Sequence, residues 1–145
     1  MSDLHVLCRV AAADYVVAAA DVLQMESFAG ATKVPGAAAE VTGLVQIRGR
    51  VVPVLDLRVL FGFPAIEPTI NSRVVVMNHA ERTVGLLVDS AREVLKIAAK
   101  DFQPPPPVVA RQTDGMVKAV AQSGSRLLML IDVTKVFGEE QAHAE

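Results

Sequence analysis

The chain has 145 residues, 52% of them hydrophobic, and a formal net charge of −2. That apolar content excludes a disordered chain and suits one ordinary domain or two small ones sharing a core. The slight acidity argues against a nucleic-acid binder, which carries a basic face. Asp14, Asp21, Arg73 and Asp89 cut the apolar stretches far short of the roughly 20 residues a membrane span requires, so no direct membrane insertion is expected.

The opening MSDLHVLCRV has neither a basic n-region nor a cleavage-like end, so no signal peptide is expected. Cys8 is the single cysteine; it cannot close an internal disulfide and fits a reducing, cytoplasmic setting. In chain order, short apolar or β-branched runs fall at 4–10, 15–20, 22–25, 43–47, 51–57, 73–78, 83–89, 93–97, 116–121 and 127–132. Turn signals separate them at Ala13-Asp14, Arg48-Gly49, Asn78 to Glu81 and Ser123-Gly124. Ten short strands with few helices predict a mainly β protein, a barrel or a sandwich. A helical turn is expected from Leu57 to Phe61, ended by Gly62, and a longer helix from Val133 toward the C-terminus through Glu139 and Glu140. Pro104 to Pro107 read as a stiff extended strap.

The pattern repeats. Placing Arg50 on Arg126 brings Asp56 onto Asp132, Phe61 onto Phe137 and Gly62 onto Gly138, an offset of 76. Upstream, DVLQM at 21–25 answers EVLKI at 93–97 at an offset of 72. This order predicts a duplication in which each half forms one small barrel, neither with much core alone. Pro53, inside a strand-like run, predicts an edge, a bulge or a barrel corner, because proline donates no ladder hydrogen bond.

Chemistry is thin. His5 and Cys8 have an H-x-x-C spacing, but no second pair follows and an alternating strand would point them to opposite sides, so no metal site is expected. His79 lies in a turn, and the serines sit in no nucleophile-elbow pattern. Asp56 and Asp132, each leading into a helical turn, read as N-caps rather than a catalytic carboxylate pair. Met25, Met77, Met116 and Met129 read as core filler. No catalytic residues and no cofactor are expected, and the chain is read as not an enzyme.

The segment VPGAAAEVTGLVQIRGRVVPVLDLRVLFGFP, from Val34 to Pro64, resembles the signature of the CheW-like domain family, the coupling proteins of bacterial chemotaxis arrays. Val34-Pro35, Gly43, Arg48-Gly49, Pro53-Val54, Asp56-Leu57-Arg58 and Phe61-Gly62 carry the match. VGLLVDSAREVLKI and RLLMLIDVTKVF resemble the family's second half, so the likeness covers nearly the whole chain as a single domain over 1–145.

The resemblance implies two intertwined five-stranded SH3-like β-barrel subdomains around a shared core, the second centred roughly on 73–132, with short helical turns and a C-terminal helix. It implies a non-enzymatic adaptor between the regulatory domain of a CheA-type histidine kinase and the cytoplasmic tip of methyl-accepting chemoreceptors. Such an adaptor is cytoplasmic and recruited to membrane-associated receptor arrays. On this likeness Thr42 and Gly43 would meet the kinase. A groove lined by Val22, Gln24, Arg48, Gly49 and Val74 would take the receptor. The family has a glutamate where this chain has Gln24, which implies a less anchored Arg48 and, as the alternative, a divergent module that docks only one partner or serves another pathway. Arg50 and Arg58 read as surface charges or local salt bridges.

Overall fold

All ten expected strands form in the computed structural model, which describes residues 3–138. They are β1 (Leu4–Val10), β2 (Ala13–Ala18), β3 (Val22–Ser27), β4 (Val41–Ile47), β5 (Arg50–Asp56), β6 (Arg73–His79), β7 (Arg82–Val88), β8 (Ser90–Lys96), β9 (Val117–Ser123) and β10 (Arg126–Ile131). Three short helices accompany them, α1 (Leu57–Leu60), α2 (Pro107–Gln112) and α3 (Val133–Phe137). The strands build two five-stranded sheets, sheet A in the order β8-β1-β2-β10-β9 and sheet B in the order β3-β6-β7-β5-β4.

These sheets do not follow the two halves of the chain, which corrects the expectation of one barrel per half with the second centred on 73–132. Sheet A takes the β1–β2 hairpin from the first half and β8 to β10 from the second. Sheet B takes β3 to β5 from the first half and the β6–β7 hairpin from the second. Each borrowed hairpin joins its host through a parallel pair, β2 with β10 and β5 with β7. The exchange has a physical reason: a half on its own leaves strand edges unpaired and too little core to fold.

The duplication survives the exchange and can be read from register. Val22 opposite Met77 in sheet B answers Ala91 opposite Cys8 in sheet A, a shift of 69 residues along both strands. Leu44 opposite Pro53 answers Val120 opposite Met129, the expected shift of 76. The pairing of DVLQM with EVLKI at 72 was therefore three residues out, and Gln24 answers Glu93. Bulges recur at matched places, between Val22 and Gln24 and at Ala91, and again between Val41 and Gly43 and at Leu130/Ile131. Each sheet also curls back on itself through one isolated bridge, Thr32 with Leu44 and Gln103 with Val120.

Both faces of the central strands are buried, so their sequences run continuously apolar. One face of each sheet meets a shared core containing Val6, Cys8 and Tyr15 from sheet A, Val75, Met77 and Leu86 from sheet B, and Phe61 and Phe137 after the helical turns. The other face fills the sheet's own interior, with Leu7, Val16 and Leu128 in A and Phe28, Val54 and Val74 in B.

Asp56 caps α1 by accepting from the Arg58 amide at 2.9 Å, and Asp132 caps α3 by accepting from the Thr134 amide at 3.1 Å. The remainder of the expected C-terminal helix lies outside the described residues.

Four local readings change. The first hairpin turns at Ala11-Ala12, with φ of 50° and 69°, and Asp14 belongs to β2; alanine carries no signal for that left-handed pair. Pro107 opens α2 as its first residue, where a missing amide hydrogen costs nothing, so only the preceding prolines are a strap. Met25 is exposed rather than core filler. Pro53 lies in an interior strand, beside the β4 bulge, and the parallel β5–β7 ladder starts only at Val54. In sheet A the matching ladder begins two residues earlier, with Leu128 and Met129, where no proline interrupts it.

Candidate interaction site

In sheet B the outer strands β3 and β4, with the loop that bridges them, line an open cavity of about 570 Å³ bounded by Glu26 to Thr32, Leu44 to Ile47 and Val74. Phe28 and Val74 are the buried apolar groups in its lining. The β4–β5 hairpin turns at Arg48-Gly49 directly after the lining residue Ile47, with φ of 52° and 80°. Two consecutive positive φ values make the tight turn that suits the twist of a hairpin. Glycine adopts that backbone freely, but an arginine there is strained. The Arg48 and Arg50 side chains are exposed, and among the described residues neither forms an ion pair or a hydrogen bond.

The other residues expected at the receptor groove divide. Val74 lies inside sheet B at 1% exposure. Val22 is half-buried on the other face and packs against the shared core. Gln24 is half-buried and donates its amide to Glu26. The structure thus brings Val74 and the Arg48-Gly49 turn to one cavity and leaves Val22 beneath the sheet.

Thr42 is half-buried and lines a second hollow of about 590 Å³ under the 30–41 and 65–68 loops, together with Val34, Asp56 and Ile66. Gly43 is buried; a Cβ on it would lie 2.4 Å from the Thr32 carbonyl oxygen, and its φ is +149°. It permits the close approach that lets Thr32 pair with Leu44, so its effect on any surface runs through the backbone. Asp56 faces this hollow with its carboxyl raised above the usual 3.8 by burial, against the lowering pull of the Arg58 and Val59 amides.

Two clamps hold the sheets to one another. Arg58 gives a two-point contact to Asp89, Nε to Oδ1 at 3.0 Å and Nη2 to Oδ2 at 3.0 Å, and Asp89 also accepts from the Ala11 amide at 2.9 Å. This ties α1 to the β1–β2 turn, and the Asp89 hydrogen bond keeps the Arg58 guanidinium raised. On the opposite side Arg82 stacks 5.5 Å from the Phe137 ring centre and donates to the Phe137 carbonyl at 3.1 Å. Arg58 is thus a local salt bridge and Arg50 an exposed surface charge, the two alternatives expected of them.

Among the described residues, the candidate chemical groups His5 and Cys8 make other contacts. His5 hydrogen-bonds the Asp3 carbonyl at 2.8 Å and sits against Phe102. Cys8 is fully buried, its thiol pushed up to about 12 by burial, so the thiolate that would act as nucleophile is not formed. Among the described residues, no group of three His, Cys, Asp or Glu converges and no helix is long and apolar enough to cross a membrane.

Sequence reasoning missed Phe28, buried in the cavity lining, and Ile70, which is 88% exposed. It also missed the exposure of Leu23, Met25 and Val51 on β3 and β5. Exposure alternates along β3 with a period of two, but the outward positions carry Leu23 and Met25, so residue type hid the alternation.

Comparison with known proteins places this arrangement. A family model described as the CheW-like domain matches residues 4–141. The chain is 30% identical over 136 residues to a chemotaxis protein CheW of Rhizobium meliloti, covering 94% of this chain and 88% of that protein. It is 28% identical over 131 residues to one of Bacillus subtilis, covering 90% and 84%. The crystal structure of the scaffolding protein TtCheW from Thermoanaerobacter tengcongensis superposes with a TM-score of 0.81 at 26% identity, over 92% of this chain and 86% of that one.

Proposed function

Because the chain belongs to the CheW-like domain family, we propose that it is a non-enzymatic adaptor coupling methyl-accepting chemoreceptors to a CheA-type histidine kinase. The observation that carries this reading is Arg48, an exposed cation on a hairpin turn at the edge of an open cavity. The same backbone closes the hairpins at Ala11-Ala12 and Ala80-Glu81, so the reading rests on the exposed guanidinium rather than on the turn itself. A guanidinium there offers charge-assisted, multidentate hydrogen bonds to a docking polypeptide, and arginine is a frequent dominant residue at interfaces.

On this reading the receptor tip docks against Arg48 and Gly49, with Val74 and Phe28 shaping the cavity below and Val22 and Gln24 supporting β3 from within. The kinase regulatory domain meets the surface around Thr42, whose contour is set by Gly43 and the bridge to Thr32. The protein works in the cytoplasm and reaches the membrane only through receptor arrays. A second reading, a divergent module that keeps only one partner, is favoured by Gln24, whose amide engages Glu26 rather than a cation.

Isothermal titration with the regulatory domain of the organism's own CheA-type kinase, followed by a soluble receptor-tip fragment, tests the reading. Binding of both in turn is expected. Kinase binding without tip binding would favour the single-partner module, and no binding to the kinase would remove the coupling role. Arg48→Ala is expected to weaken tip binding about tenfold or more while leaving the urea midpoint near that of the wild type. Equal loss of folding and binding would make Arg48 a structural residue instead.

A further inference from the structure

We infer that Arg50 is a second docking point, an acceptor for a carboxylate side chain on the same polypeptide that docks at Arg48; this rests on the coupling role proposed above. The argument comes from the molecule's own duplication. At one end of sheet A four charges meet. Arg126 Nη2 donates to Glu93 Oε1 at 2.7 Å, Arg126 Nε lies 3.9 Å from Asp14, and Arg9 Nη1 donates to Asp14 Oδ1 at 2.8 Å. Two cations and two anions therefore line that end as a balanced chain, Glu93–Arg126–Asp14–Arg9.

The register identifies the same four places in sheet B. Arg126 answers Arg50 at the 76-residue shift, since Arg126 opposite Ser123 repeats Arg50 opposite Ile47. Glu93 answers Gln24, Arg9 answers Asn78 and Asp14 answers Thr83 at the shift of 69, because Leu7–Glu93 and Arg9–Asp14 repeat Val76–Gln24 and Asn78–Thr83. Of the four charges only the arginine remains. The neighbouring carboxylate on β3, Glu26, is held by the Gln24 amide, and Arg50 forms no ion pair among the described residues.

Sheet A also shows which group satisfies an arginine at this place: a carboxylate presented from an adjoining chain segment. A guanidinium takes a carboxylate through two parallel hydrogen bonds, a geometry a neutral amide cannot match. Arg50 lies two residues past Arg48 in the same hairpin, so a partner resting on the turn brings its own acidic side chain within reach of both cations. A charge at such a rim governs association rate and salt dependence more than packing.

The test compares wild type, Arg50→Gln, Gln24→Glu and the double variant. Each is titrated with the soluble receptor-tip fragment at low and high salt, and the carboxyl introduced by Gln24→Glu is titrated by NMR in the free protein. Arg50→Gln is expected to weaken tip binding about threefold to tenfold and to flatten its salt dependence. Gln24→Glu, which supplies an internal competitor, is expected to weaken binding similarly, with the double variant no weaker than either single one. The titration of the introduced carboxyl should move when Arg50→Gln is added, because the guanidinium is the group it faces. Wild-type affinity and salt slope in Arg50→Gln would overturn the inference while leaving the coupling role standing. An introduced carboxyl whose titration ignores Arg50→Gln would overturn the equivalence on which it rests. A wild type that binds no tip fragment would remove the coupling role and the docking role of Arg50 with it, and the carboxyl titration, which needs no partner, tells these failures apart.

Discussion

Sheets A and B use the same strand order and matching bulges, yet they close differently. Sheet A neutralises its charged end with Arg9, Asp14, Glu93 and Arg126, carries Ala119 where sheet B has Gly43, and extends its parallel ladder through Met129 where sheet B has Pro53. Sheet B replaces three of the four charges by neutral groups, turns its hairpin on a strained arginine and keeps a cavity of about 570 Å³ between its outer strands. At this end one copy pairs its arginine internally, whereas the other leaves Arg50 without an ion pair among the described residues. Duplication supplied two versions of one surface, and the difference marks where binding is to be sought.

The comparison can be broken at matched positions, most severely in the shared core. Phe137 is 1% exposed and its counterpart Phe61 is 7% exposed. Truncation to alanine is expected to cost about 4 kcal/mol at Phe137 and somewhat less at Phe61, read from urea unfolding. A smaller loss at Phe137 than at Phe61 would contradict the view that the core is shared evenly by the two repeats. Next in size is the bulge. Gly43→Ala places a Cβ against the Thr32 carbonyl in a backbone with φ of +149° and is expected to cost about 2–3 kcal/mol. Ala119→Gly, the reciprocal change, is expected to cost no more than about 1 kcal/mol. Similar values for the two would mean that the sheets close alike.

The caps give the smallest and most pH-sensitive difference. Asp132→Ala is expected to cost about 1 kcal/mol as a lost N-cap. Asp56 behaves differently because burial raises its carboxyl above 3.8. The folded state then holds the proton more tightly than the unfolded one. The stability that Asp56 contributes is complete below 3.8 and falls as pH rises through the raised value. Asp56→Asn keeps a capping oxygen and removes the titration, so it should flatten that part of the stability profile.

Much of the fold was legible in the sequence because strands, caps and turns are local. Ten apolar runs became ten strands, and Asp56 and Asp132 became the caps their spacing implied. The exchange of hairpins was not legible, since it depends on the long-range pairs β2–β10 and β5–β7, which leave no mark on local periodicity. A three-residue error in aligning the repeats had a larger consequence than its size suggests. At an offset of 72 Gln24 falls against Lys96; at 69 it falls against Glu93, and only then does Arg50 emerge as the arginine without its anion. Arg48-Gly49 was found from its motif, but its strain, and the burial of Gly43 beneath Thr32, required coordinates. Ala11-Ala12 shows the limit from the other side, a left-handed turn built from residues that give no sign of one.

The most direct measurement is a two-dimensional NMR titration of the isotope-labelled protein with a soluble receptor-tip fragment, following every backbone amide. The account predicts shifts concentrated at 22–26, 46–51 and around Val74 in sheet B, with the matching 91–95 and 122–127 segments of sheet A unmoved. Shifts of equal size in both sheets, or confined to sheet A, would contradict the claim that sheet B is the one that binds.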